Sequence, residues 1–131
     1  MRLDEATVLI VDDEPILREV CTFWLKQGGC SSVFTAADGL EALMIIEERK
    51  IDVLITDIHM PTMGGVELIR TIRKKNIPVQ TIFFMSAYMG IKLAELGDLT
   101  ATKFLEKPFT AEIMLEAVTS ALAEASLGNK S

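Results

Sequence analysis

Three aspartates, a lysine and a serine carry the chemistry open to this sequence. Asp12 and Asp13 follow the apolar run Thr7 to Val11, Asp57 follows Val53 to Thr56, Ser86 follows Thr81 to Met85, and Lys107 lies just beyond Lys103 to Leu105. Each of these runs reads as a strand, so the polar residues stand at strand ends. If the first and third strands are neighbours, three carboxylates meet. Two unit charges about 5 Å apart repel by about 3 kcal/mol at an effective dielectric of about 20, so such a cluster requires positive charge among its members. A hard divalent cation such as Mg²⁺ suits the set, because it takes oxygen ligands, keeps waters and binds one or two carboxylates together with a phosphate. The ammonium of Lys107 is the other source, a point charge able to neutralise a carboxylate or a phosphate oxygen.

The elements that must position these residues alternate along the chain. Thr7 to Val11 is short, apolar and β-branched, and Pro15 then suits the first turn of a helix whose apolar face is Leu17, Cys21 and Leu25, stopped by Gly28 and Gly29. The same alternation gives a strand over Ser32 to Ala36, a helix over Gly39 to Arg49 with Ala42, Leu43 and Ile46 inward, and a strand over Val53 to Thr56. A helix over Val66 to Lys75 on its Leu68, Ile69 and Ile72 face, a strand over Thr81 to Met85 and a short helix over Gly90 to Leu96 come next. A strand over Lys103 to Leu105 and a helix over Ala111 to Ala125, with Met114, Val118 and Leu122 inward, complete the series. Repeated βα units imply a mainly parallel sheet with helices on both faces. Its ligand crevice lies outside the carboxyl ends of the strands, where the acids stand.

Composition narrows the field. A chain of 131 residues, half of them hydrophobic, allows one domain with a core of its own. Lys and Arg number 13 against 19 Asp and Glu, leaving a net charge of -6 with no field to attract nucleic acid. Cys21, Cys30 and His59 match no zinc-ligand spacing and the thiols are expected to be reduced. No apolar run approaches the roughly 18 residues of a membrane span, and Met1 to Ala6 lack the apolar core of a signal peptide, so a cytoplasmic setting is expected. Residues 1–6 read as an N-terminal extension, 7–125 as the domain, and 126–131 as a tail or a cut linker.

Four segments in order, Val-Asp-Asp-Glu-Pro at 11 to 15, Thr-Asp-Ile-His-Met-Pro at 56 to 61, Met-Ser-Ala at 85 to 87 and Phe-Leu-Glu-Lys-Pro-Phe at 104 to 109, resemble the motifs of the receiver domain of two-component response regulators. The resemblance implies a doubly wound, flavodoxin-like sheet of five parallel strands in the order 2-1-3-4-5 with five helices on its two faces. It implies that Asp57 accepts a phosphoryl group from a phosphohistidine of a sensor kinase or phosphotransfer protein. Asp13 would hold Mg²⁺ directly, Asp12 mainly through water, and the backbone carbonyl of His59 would join Asp57 in the ligand set. Lys107 would pair with one phosphoryl oxygen and Ser86 with another, while Phe104 takes the switch aromatic position and Lys107-Pro108 a cis peptide. His59 and Tyr88 would flank the path of the water that removes the phosphoryl group. Such a domain promotes its own phosphorylation and dephosphorylation yet acts as a signalling switch rather than a metabolic enzyme. Its output would be read by a downstream protein or a second copy, docking on the face of the fourth helix, the fifth strand and the last helix around Ile91, Lys92, Lys103 and Leu115.

Other readings compete. A phosphatase resembling the haloacid dehalogenase group uses a similar set but places an acid two residues after its nucleophile, where this chain has His59. A flavodoxin-like FMN site would need hydroxyls where Asp12, Asp13 and Glu14 stand. A receiver used as a binding platform without phosphorylation would not need the complete acid, serine and lysine set. As simple helix caps, Asp12 and Asp13 would leave Asp57 and Lys107 unexplained.

Overall fold

Along the central strands successive residues point to opposite faces of the sheet, and both faces are apolar. Val8 and Ile10 of the first strand and Val53 and Ile55 of the third enter one buried cluster, whereas Leu9, Val11 and Leu54 enter another. A strand buried on both sides has no polar face, which is why these segments read as continuous apolar runs. The computed structural model describes residues 1–87 and 102–128. Its strands are β1 (Thr7–Val11), β2 (Ser32–Ala36), β3 (Val53–Asp57), β4 (Thr81–Ser86) and β5 (Lys103–Glu106). They form a five-stranded sheet in the order β2-β1-β3-β4-β5, with every neighbouring pair parallel. This is the doubly wound, flavodoxin-like arrangement expected of the sequence.

Four α-helices are present among the described residues: α1 (Pro15–Gln27), α2 (Gly39–Glu48), α3 (Gly65–Lys74) and α4 (Ala111–Gly128). The helix expected over Gly90 to Leu96 lies outside the described residues, as do Tyr88, Ile91 and Lys92. Cys21 and Leu25 of α1 and Met114, Val118 and Leu122 of α4 join the first cluster, while Ala42 and Ile46 of α2 and Leu68, Ile69 and Ile72 of α3 fill the second. The helices therefore divide between the faces. Leu3 and Ala6, in the stretch read as an extension, are buried in the first cluster beside a 3₁₀ turn over Leu3–Glu5. No helix among the described residues is long and apolar enough to cross a membrane.

Each edge of the sheet has its own fastening. At the amino ends of the strands, buried Asp52 accepts the Thr7 N–H at 2.8 Å, and its own backbone bonds Thr7 and Thr81, tying the starts of β1, β3 and β4 together. At the carboxyl ends the β3–α3 loop folds back on itself: the Gly65 N–H meets the Ile58 carbonyl at 2.9 Å, and a Cβ at Gly65 would run into the carbonyl oxygen of Asp57. Only glycine permits that approach. In the same loop Thr62 has φ of 69°, a left-handed conformation that is costly for a β-branched residue. Thr62→Asn, which tolerates that region, should raise stability by about 1 kcal/mol in urea unfolding; an unchanged or lower midpoint would show that the loop relaxes without cost.

Candidate functional site

β1 and β3 are neighbours, with Val11 opposite Thr56, so the next residues of the two strands emerge side by side. Carboxylate oxygens of Asp12, Asp13 and Asp57 all lie within 4.8 Å of one another. Into this group reaches Lys107, whose Nζ donates to Asp12 Oδ2 at 2.8 Å and to Asp57 Oδ2 at 3.2 Å. Its backbone is set by a 2.7 Å bond from the Lys107 N–H to the Ser86 carbonyl, and the Lys107-Pro108 peptide is cis, as expected. Three strands thus meet at one point.

The three acids are held differently. Asp12 is completely buried; its Oδ1 accepts the Glu14 N–H at 2.8 Å and its own N–H donates to the Ala36 carbonyl at 3.1 Å. Asp57 is half-buried, with Oδ1 accepting the Ile58 N–H at 2.7 Å. Asp13 is exposed, and its carboxylate has no hydrogen-bond partner among the described residues. A hard-oxygen set of this kind, with one arm open to solvent, can hold a metal ion.

Burial governs the charge states. It pushes Asp57 above the ordinary carboxylate value, with the attraction of Lys107 opposing and the repulsion of Asp12 adding to the rise. Burial also works against the charge on Lys107, but its hydrogen bond to Asp12 and the negative charges of Asp57 and Asp12 together hold its pKa above the ordinary value. The ammonium persists wherever the site operates. Nearby Cys21 is pushed up to about 11, first by burial and then by Asp12, so it stays a neutral thiol and offers neither nucleophile nor ligand. Both cysteines are free and buried, in keeping with a packing role.

The remaining residues of interest divide by position. Ser86 ends β4 and is buried at the same sheet edge. His59 is exposed in the loop after β3, and Tyr88 lies outside the described residues. Phe104, expected to be the switch aromatic, is half-buried and packs inward, its ring 5.8 Å from that of Phe84. Lys103 lies at the start of β5 and pairs with Glu124 of α4 at 2.9 Å. Leu115, expected on the same outer face, does not lie there. It is partly buried against the first cluster and fills the space over Gly28, where a Cβ would clash with its methyl groups. Trp24 packs edge-on against Phe109 with ring centroids 6.3 Å apart, a core contact. Met63, in the loop between β3 and α3, is buried, and its carbonyl accepts the Gly39 N–H at the start of α2. Arg18, which periodicity did not single out, donates from Nη1 to the Asp12 carbonyl at 2.6 Å.

Comparisons with known proteins identify the family and agree with the fold. The family model of the response regulator receiver domain matches residues 8–119. The chain is 30% identical over 115 residues to the chemotaxis protein CheY of Pseudomonas aeruginosa, covering 85% of this chain and 91% of that one. It is 38% identical over 100 residues to protein-glutamate methylesterase/protein-glutamine glutaminase 3 of Hahella chejuensis, where the match covers 76% of this chain but spans only 27% of that protein. Among solved structures, the CheX-CheY-BeF₃-Mg²⁺ complex from Borrelia burgdorferi matches with a TM-score of 0.80 and 28% identity, covering 89% of each chain. Strand order, motif positions and the acid-lysine cluster converge, and the chain belongs to the response regulator receiver domain family.

Proposed function

We propose that this receiver domain takes a phosphoryl group onto Asp57 from the phosphohistidine of a sensor kinase or phosphotransfer protein, in a reaction that depends on Mg²⁺. The observation that carries the reading is the single ammonium of Lys107 bridging Asp12 and Asp57 at 2.8 and 3.2 Å. Among the described residues that bridge sets one ammonium against three carboxylates, with an oxygen of each within 4.8 Å of the others. The cluster therefore retains a negative excess that suits a divalent ion. Asp13, Asp57 and the His59 carbonyl would hold Mg²⁺ directly and Asp12 through water; bound there, it supplies positive charge to the phosphoryl oxygens.

The chain's own groups supply the rest. A carboxylate oxygen of Asp57 attacks the phosphorus in line with the departing imidazole nitrogen; the P–N bond breaks, the imidazole leaves with its electron pair, and an acyl phosphate forms. Lys107 moves its ammonium from Asp57 to a phosphoryl oxygen while keeping Asp12. The Ser86 hydroxyl hydrogen-bonds a second phosphoryl oxygen, and the accompanying shift of β4 changes the room available to Phe104 beside Phe84. A charge change of this kind biases two packings of one element. The exposed His59, two residues after Asp57, hinders the approach of the hydrolytic water and lengthens the life of the acyl phosphate. The chain thus acts on its own phosphoryl group as a switch, in a cytoplasmic setting.

A downstream protein, or a second copy, reads the state from the side of β5 and α4 that carries Lys103. The CheX-CheY-BeF₃-Mg²⁺ complex supports a partner-binding role, since that CheY is found with BeF₃, Mg²⁺ and CheX together. No nucleic-acid contact is assigned to this domain, whose net charge is -6. The exposed imidazole of His59 stands where a haloacid-dehalogenase-like phosphatase needs its second acid, so turnover of phosphate monoesters is not the function proposed. A platform that never carries a phosphoryl group would have no use for the acid-lysine cluster.

The test is intact-mass analysis after incubation with acetyl phosphate. The parent should gain one phosphoryl group with Mg²⁺ present and none with EDTA, and Asp57→Ala should gain none. An undiminished adduct on Asp57→Ala, or one indifferent to EDTA, overturns the assignment.

A further inference from the structure

Asp12 is anchored at every polar atom: its N–H by Ala36, one carboxylate oxygen by Glu14, the other by Lys107, and its carbonyl by Arg18 at 2.6 Å. Asp13 has none of this support from side chains. Its carboxylate is exposed and without a hydrogen-bond partner among the described residues, yet it stays within 4.8 Å of the other two. What restrains its direction is therefore the backbone at the point where the chain leaves β1. Among the described residues the side chain that bonds that peptide's carbonyl is Arg18, half-buried in α1, which reaches back to the oxygen.

Arg18 is itself well seated. Its N–H bonds the Glu14 carbonyl at 3.2 Å in the first turn of α1, and its carbonyl accepts the Thr22 hydroxyl at 2.7 Å. A guanidinium donates from a rigid planar fork, which fixes the direction of the contact. We infer that Arg18 is a positioning residue for the cation site: by holding the Asp12 carbonyl it fixes the Asp12-Asp13 peptide and keeps the Asp13 carboxylate turned toward Asp57. Groups that orient metal ligands from behind contribute about 10- to 100-fold to metal affinity. The inference rests on the cation-dependent reading of the site, and it predicts a sign that simple electrostatics does not. Removing a nearby positive charge should tighten binding of a divalent cation; removing a positioning group should weaken it.

The experiment is calorimetric titration of the metal-free full chain with Mg²⁺, for the parent, Arg18→Met, Arg18→Gln, Arg18→Lys and Asp13→Asn, with melting temperatures of each before metal is added. Arg18→Met keeps the aliphatic stem and its packing, and Arg18→Gln serves the same comparison should the first variant fold poorly. The inference predicts that loss of the guanidinium raises the Mg²⁺ dissociation constant by about tenfold, whereas Arg18→Lys, which keeps a long donor, restores most of the affinity. Unchanged or tighter Mg²⁺ binding with a lowered metal-free melting temperature would overturn it, leaving Arg18 a structural residue. Parent protein that binds no Mg²⁺, or binds it equally well as Asp13→Asn, would overturn the cation site itself, and the two failures are distinguishable in one data set.

Discussion

Lys107→Met should abolish phosphoryl capture at Asp57 and should strip several kcal/mol from the stability of the metal-free protein. Among the described residues the lysine is the cation bonded to the carboxylate of Asp12, which is completely buried, and it also reaches Asp57 at 3.2 Å. Removing one partner of a buried pair typically costs about 3–5 kcal/mol, because the other charge is left without compensation. Domains of this kind have only about 5–15 kcal/mol in total. Urea unfolding with and without Mg²⁺ separates the two roles. A divalent ion at the cluster restores part of the lost stability by replacing the missing charge, but it does not restore phosphorylation, since the phosphoryl oxygen has lost its ammonium. Near-parent stability without metal would mean that Asp12 finds another partner.

Neutralising an acid of the cluster should act in the opposite direction. Asp57 sits above the ordinary aspartate value of 3.8 chiefly through burial, so its ionised form is disfavoured in the folded state relative to the unfolded chain. The sign follows from linkage. The penalty is complete at pH values above the folded pKa and disappears as pH falls through that value toward 3.8. Asp57→Asn, whose amide oxygen can still accept from Lys107, should therefore melt several degrees higher than the parent at pH 7 without metal, and the advantage should shrink steadily on acidification. Saturating Mg²⁺ should reverse the ranking, since a ligand at 100 times its dissociation constant adds about 2.7 kcal/mol to the parent. Parallel melting curves for the two proteins across pH would show that Asp57 carries no such penalty.

How much of this was legible beforehand depended on whether a residue's role leaves a trace in local pattern. β1 and β3 are buried on both sides, and a continuous apolar run ending in acid is visible in one dimension; observed and expected strand limits differ by at most one residue. The convergence of Asp12, Asp13 and Asp57 followed once β1 and β3 were neighbours. Leu115 was misplaced because a helix face is ambiguous beside its apolar stripe. Its methyl groups pack over Gly28, the residue that caps the end of α1, a tertiary contact. Arg18 and Asp52 escaped notice for a related reason: both act on distant backbone groups, the Asp12 carbonyl and the Thr7 N–H, and such contacts impose no periodicity. The inward packing of Phe104 on Phe84 depends on the register of β4 against β5, which local pattern does not carry.

The central claim is that the phosphoryl group resides on Asp57 as an acyl phosphate. Borohydride reduction tests it most directly, because hydride converts an aspartyl phosphate to homoserine while leaving a free carboxylate and a serine phosphate intact. Protein treated with acetyl phosphate and Mg²⁺, reduced and mapped by peptide mass spectrometry, should carry homoserine at position 57 alone, in an amount matching the intact-mass adduct and absent with EDTA. Homoserine at position 12 or 13, or an adduct on Ser86 or His59 that survives reduction, would contradict the account.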